Sequence, residues 1–160
     1  MGTRLLSVGP RPTSLDQYLA AARSDLSRLE PVDAYGATQR GALLVDIRPE
    51  FQRRHDGEVP AAIIVERNHL EWRLHPESPA RIPEAIGFDV QWIVLCDEGY
   101  ASSLAAAALQ ALGLSRATDV VGGFRAWRAA GMPLGATGSV SAPRLAPESA
   151  SNPGGQSRGQ

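Results

Sequence analysis

Short apolar runs separated by helix-forming stretches constrain this chain more than any other feature. The runs are "ALLVDI" (42–47), "AAIIVE" (61–66), "VQWIVLC" (90–96) and "ATDVV" (117–121). The first three are nearly continuous in apolar residues rather than alternating, the pattern of strands covered on both faces. Between and after the runs lie "PEFQRRH", with Pro49 placed for a helix N1 position, "HLEWRL", "ASSLAAAALQAL" stopping at Gly113, and "FRAWRAA". Gly122-Gly123 reads as the turn before that last helix, and Gly131 with Pro133 as its stop. Strands that alternate with helices pair in parallel through crossovers. The expectation is therefore an α/β fold in three layers, a central, mostly parallel sheet with helices on both faces. Ligands in such sheets sit at the carboxyl ends of the strands.

Upstream of the first run, Ser14 and Gln17 form a capping box, and Leu15, Tyr18, Leu19, Ala22, Leu26 and Leu29 follow at helical spacing. This predicts an amphipathic helix over 14–30, ending near Glu30-Pro31, to pack on the domain or on a second copy. A helical or looped piece follows from Val32 to Arg40. Residues 1–13 read as a flexible N-terminus. Residues 135–160, rich in Gly, Ser, Pro and Ala, read as a disordered tail. A length of 160 residues suits one domain, assigned here to 14–134.

Net charge is −1 with both signs interspersed, so no nucleic-acid partner is expected. No stretch is apolar and long enough for a membrane span, and the N-terminus lacks a signal peptide's apolar core. A soluble, cytoplasmic protein is the expectation, with oligomeric state left open. One cysteine excludes an internal disulfide and a cysteine-rich zinc site. His55, His69 and His75 lack metal-ligand spacing, so neither a metal nor another cofactor is expected.

That single cysteine, Cys96, ends the third run and is followed by Asp97, Glu98, Gly99, Tyr100, Ala101 and Ser102 at the start of the alanine-rich helix. A lone cysteine is most often a small buried hydrophobe. A loop between a strand's carboxyl end and a helix N-terminus, however, surrounds a sulfur with backbone N–H groups and the positive end of the helix dipole, which favours a nucleophilic thiolate. Gly99 permits the necessary curvature. Ser102 and Ser103 either add hydroxyl hydrogen bonds or cap the helix, with capping slightly favoured. Asp97 and Glu98 oppose the anion if they point inward, or simply face solvent at the loop crown. Tyr100 shapes the pocket mouth or packs.

With these motifs in order, the chain resembles the rhodanese-like domain family of sulfurtransferases over roughly 42–134. The first motif is "LLVDIRPEFQRRHDGEVPAAIIV", in which a strand delivers Asp46 and Arg48; the element Gly57 to Ala62 departs from the family's "GHIPGA" at Glu58 and Ala61. The second is the Cys96 loop, and the third is "GGFRAWRAAGMPL". The resemblance implies that Cys96 takes sulfur from a small donor, such as thiosulfate or a mercapto acid, carries it as a persulfide, and yields it to a thiol or protein acceptor. Residues 97–102 would form the substrate-binding loop. Many relatives carry Arg where this chain has Ala101, so Arg67 or Arg73 is the candidate anion clamp, with Trp72 as an apolar wall. Asp46 and Arg48 are expected to form a structural pair near the site.

Two other functions stay open. A cysteine phosphatase would need Arg at the sixth position after Cys96, where Ser102 stands. A non-catalytic rhodanese-like module would bind a partner or sense redox state through Cys96.

Overall fold

The computed structural model describes residues 13–135. Apart from Thr13 and Gly135, the flexible N-terminus and disordered tail expected from composition lie outside the described residues. Parallel strands β1 (Leu43–Asp46), β2 (Ile63–Ile64), β3 (Trp92–Leu95) and β4 (Thr118–Asp119) form one sheet in the order β2-β1-β3-β4. Leu43 to Asp46 pair in register with Trp92 to Leu95, and Val94 pairs with Asp119. The sheet grows one way from β1 to β2 and the other way from β1 to β3. The gap between the carboxyl ends of β1 and β3 is therefore the topological switch point, where such sheets leave a crevice.

Strand alternation divides the interior into two cores. Val45, Trp92 and Val94 face one side, where they meet Leu70 and Leu74 of helix α4 (Leu70–Leu74) and Ala105, Ala106 and Leu109 of α5 (Ala101–Ala111). Leu44, Ile93 and Leu95 face the other side, against Ala34 and Ala37 of α2 (Pro31–Gln39) and Phe124 and Trp127 of α6 (Gly123–Ala129). This is the expected three-layer α/β arrangement. Helix α5 stops as its glycine requires: Gly113 N–H bonds to Gln110 O at 2.9 Å and Leu114 N–H to Leu109 O at 3.1 Å, a Schellman closure.

Three local expectations need correction. The Ser14–Gln17 capping box forms, with both reciprocal bonds at 3.1 Å, but helix α1 spans only Leu15–Arg23 rather than 14–30. Past Ser24, whose hydroxyl donates to Ala21 O, the backbone turns. Leu29 N–H then donates to Asp119 O at 3.0 Å and Leu29 O accepts from Val121 N–H at 2.8 Å. Leu29 thus pairs beside β4, which a helix would forbid. Leu26 and Leu29 share helical spacing but pack on opposite cores. Helix α1 itself buries no residue and lies against α5. Pro49, expected at N1, is the N-cap of α3 (Glu50–Asp56), because its ψ of 154 is extended. The "HLEWRL" helix begins as a single 3-10 turn over Arg67–His69 before α4.

Leu109 is 0 % exposed and Leu15 is 84 % exposed. Leu109→Ala is expected to lower unfolding free energy by about 2–5 kcal/mol, and Leu15→Ala to change it by no more than about 0.5 kcal/mol; urea denaturation of both variants checks this.

Candidate active site

The carboxyl ends of β1 and β3 frame a pocket of about 380 Å³ lined by Ile47, Arg48 and Pro49 past β1, Gln52, Arg67, and Cys96 to Glu98, Tyr100 and Ala101 past β3. Cys96 is 6 % exposed and lines this pocket. Backbone N–H groups of Gly99 and Ser102 donate to Cys96 Sγ at 3.1 and 3.3 Å, and Ser102 Oγ lies 3.2 Å away. These dipoles converge on the sulfur and favour an anion there.

Backbone sterics hold the loop in this curve. Gly99 has φ +86, and a Cβ on it would lie 2.8 Å from Gly122 N. Gly123, at φ +60, approaches from the other side: a Cβ there would lie 2.5 Å from Cys96 O and 2.7 Å from Asp97 C. The contact is sealed by Phe124 N–H donating to Cys96 O at 2.7 Å and Arg125 N–H donating to Asp97 O at 3.1 Å. Asp97 and Glu98 do not face inward unpaired, for Arg125 bridges both carboxylates at 2.9 and 3.0 Å. The Asp97 hydrogen bond, then the charges of Asp97 and Glu98, hold the Arg125 guanidinium above its ordinary range.

The family model for the Rhodanese-like domain matches residues 30–130. This chain belongs to the rhodanese-like family. It is 32 % identical over 108 residues to Thiosulfate sulfurtransferase GlpE of Pseudomonas savastanoi pv. phaseolicola, covering 66 % of this chain and 91 % of that one. A GlpE from Stutzerimonas stutzeri is 33 % identical over 107 residues, covering 66 % and 87 % respectively. Among solved structures, a Rhodopseudomonas palustris protein described as of unknown function and a possible tyrosine phosphatase is 31 % identical. It aligns with TM-score 0.70 over 79 % of this chain and 98 % of that one. The curated relatives support a sulfurtransferase-type function for this rhodanese-like protein.

The other residues singled out from the sequence divide clearly. Arg67 lines the pocket while its Nη1 donates to Glu71 Oε1 at 2.6 Å. Arg73 lies outside it, with Nη1 donating to Ala80 O at 3.2 Å. Trp72 is exposed and borders a separate apolar groove between α4 and α5. Arg48 forks onto Asp46 at 2.7–3.1 Å, donates to Gly57 O, and lays its guanidinium 3.8 Å from the centre of the Phe124 ring. Both members of that pair are buried, a pairing that bridges β1 to the α6 layer.

Ser102 and Ser103 do not cap α5, whose N-cap is Tyr100 without a side-chain bond. Their hydroxyls turn beneath the loop instead and donate to Asp119 Oδ2, each at 2.8 Å. Asp119 is 0 % exposed and receives a fork from Arg28, Nε to Oδ1 at 2.8 Å and Nη2 to Oδ2 at 3.1 Å. Arg23 completes the cluster, donating to Ser103 Oγ and to Gly99 O at 2.9 and 2.8 Å. Arg23, Arg28 and Asp119 were not anticipated. The available signal was a carboxylate inside a short strand run, since a buried charge must find a partner; nothing in the sequence says which.

Gly123 and Gly131 both hold left-handed φ, +60 and +71, but only Gly123 meets backbone, because nothing lies within 4 Å of a Cβ on Gly131. Gly131→Ala is expected to cost about 1 kcal/mol from φ strain alone. Gly123→Ala is expected to cost more and to change the rate of Cys96 alkylation, read by chemical denaturation and by mass spectrometry of the native protein.

Proposed function

We propose that this rhodanese-like protein is a sulfurtransferase whose Cys96 accepts sulfane sulfur from a small anionic donor of the thiosulfate or mercapto-acid type. The observation that carries this reading is the placement of Cys96 Sγ: at the pocket, under two convergent N–H groups. With thiosulfate, the Cys96 thiolate attacks the outer sulfur, the new S–S bond forms as the donor's S–S bond breaks, and sulfite leaves with the electron pair. A nucleophilic acceptor, a small thiol or a protein thiol, then attacks the terminal sulfur and returns Cys96 as thiolate. No redox partner or cofactor enters either step.

The N–H groups of Gly99 and of Ser102, in the first turn of α5, would stabilise the persulfide as a helix N-terminus binds other anions. Arg67 is the clamp for the donor's anionic end. It stands on the pocket wall and shares its guanidinium with Glu71, so the donor competes for part of an existing pair. Ala101 lines the same pocket without charge.

Treatment with thiosulfate or mercaptopyruvate is expected to add about 32 Da, one sulfur atom, to the intact protein and none to Cys96→Ser. No adduct from any donor sinks the proposal in favour of a binding module, and Cys96-dependent turnover of p-nitrophenyl phosphate sinks it in favour of a phosphatase. Arg67→Ala is expected to raise the thiosulfate KM about tenfold, the loss of one charge-assisted hydrogen bond. Arg73→Ala is expected to leave KM unchanged; steady-state kinetics on both variants read the difference.

A further inference from the structure

Ser102 carries one hydroxyl proton but faces two groups that both accept it. Its oxygen lies 3.2 Å from Cys96 Sγ and 2.8 Å from Asp119 Oδ2. While Cys96 is a thiol, both contacts are satisfied if the S–H donates to Ser102 Oγ and Ser102 donates to Asp119. When the thiol proton leaves to solvent through the pocket, that orientation fails, because a lone pair of Ser102 then faces an anion. Ser102 must turn its proton to the sulfur, and Asp119 must release it.

The surroundings of Asp119 let it do so. Oδ1 and Oδ2 keep the Arg28 fork, and Oδ2 keeps the Ser103 hydroxyl. Ser103 can commit its proton there because Gly99 O is already served by Arg23 Nη2 and Arg28 Nη2 at 2.8 and 3.1 Å. We propose that Asp119 is a positioning residue that sets which way the Ser102 hydroxyl points, and through it how readily Cys96 becomes a thiolate. Asp119 reaches Cys96 only through Ser102, its carboxylate oxygens receiving the Arg28 guanidinium and the Ser102 and Ser103 hydroxyls. It holds the Ser102 O–H toward itself while Cys96 is a thiol, and turning that hydrogen bond to the sulfur accompanies activation. This deepens the sulfur-transfer reading and rests on Cys96 as its nucleophile.

Other charges face the same cluster. Arg23 comes from α1, Arg48 from the end of β1 with Asp46 behind it, and Arg67 from the turn before α4. Asp97 and Glu98 sit on the loop with Arg125 of α6. All are constant across a double-mutant cycle of Ser102→Ala and Asp119→Asn, so their contributions cancel in the coupling.

Because Cys96 is the only cysteine, ultraviolet absorbance of the thiolate, referenced to Cys96→Ser, reports its pH midpoint without any sulfur donor. Failure here is thereby separable from failure of sulfur transfer. Ser102→Ala is expected to move the midpoint up by about one pH unit, the loss of one hydrogen bond to an anion. Asp119→Asn is expected to move it down, and that downward shift is expected to shrink to less than half in the Ser102→Ala background. Asp119→Asn alone leaves the partly buried Arg28 guanidinium without its carboxylate, so Arg28→Gln/Asp119→Asn, which removes both charges, is titrated in parallel with the same expectation. An unmoved midpoint in Ser102→Ala, or equal Asp119 shifts with and without the Ser102 hydroxyl, would overturn the proposal, because Asp119 would then act by charge alone.

Discussion

Phe124 N–H reaches the Cys96 carbonyl at 2.7 Å across a gap that admits no side chain on Gly123. Through this contact the start of α6 rests directly on the outside of the sulfur loop, and Gly99 closes the same interface from within. The curvature that turns the Gly99 and Ser102 N–H groups onto Sγ is therefore imposed by tertiary packing of two backbones. Elsewhere in the fold, the parallel register of β1 and β3 delivers Cys96 to the switch point, and the Arg48–Phe124 stack ties the β1 end to the same α6 turn.

Charge around the site is arranged in groups of opposite sign. Asp46 with Arg48 is a buried pair, the buried Asp119 is met by the partly buried Arg28, and Asp97 and Glu98 share Arg125. Such pairs contribute little net stability when buried, since desolvation offsets their attraction, but removing one partner is expensive. Their consequence here is local: Arg125 draws the Asp97 and Glu98 carboxylates together at the loop, and Arg48 and Arg67 both line the pocket beside Cys96.

Much of the architecture was legible because it follows from short-range rules. Apolar runs such as "VQWIVLC" admit a doubly covered strand, and the glycine at 113 ends an alanine-rich helix by its own geometry. The Cys96 loop was legible for the same reason, since strand, glycine and helix lie within a few residues. What escaped was non-local. Leu29 carried helical spacing yet pairs with residues beside β4, because its backbone hydrogen bonds there outweigh a marginal helix extension. Arg28 and Asp119 are separated by 91 positions, and only the fold makes them neighbours. Arg67 and Arg73 looked equivalent in sequence; the 3-10 turn before α4 sends the first to the pocket and leaves the second outside.

On the proposed reading, the packed loop presents Cys96 as a sulfur carrier inside the switch-point pocket. A crystal structure of the protein after incubation with thiosulfate tests it most directly. One additional sulfur atom is expected, bonded to Cys96 Sγ, lying within the pocket and within hydrogen-bond reach of the Gly99 and Ser102 N–H groups. An unmodified Cys96 at saturating thiosulfate, or a terminal sulfur directed away from those groups, would contradict it.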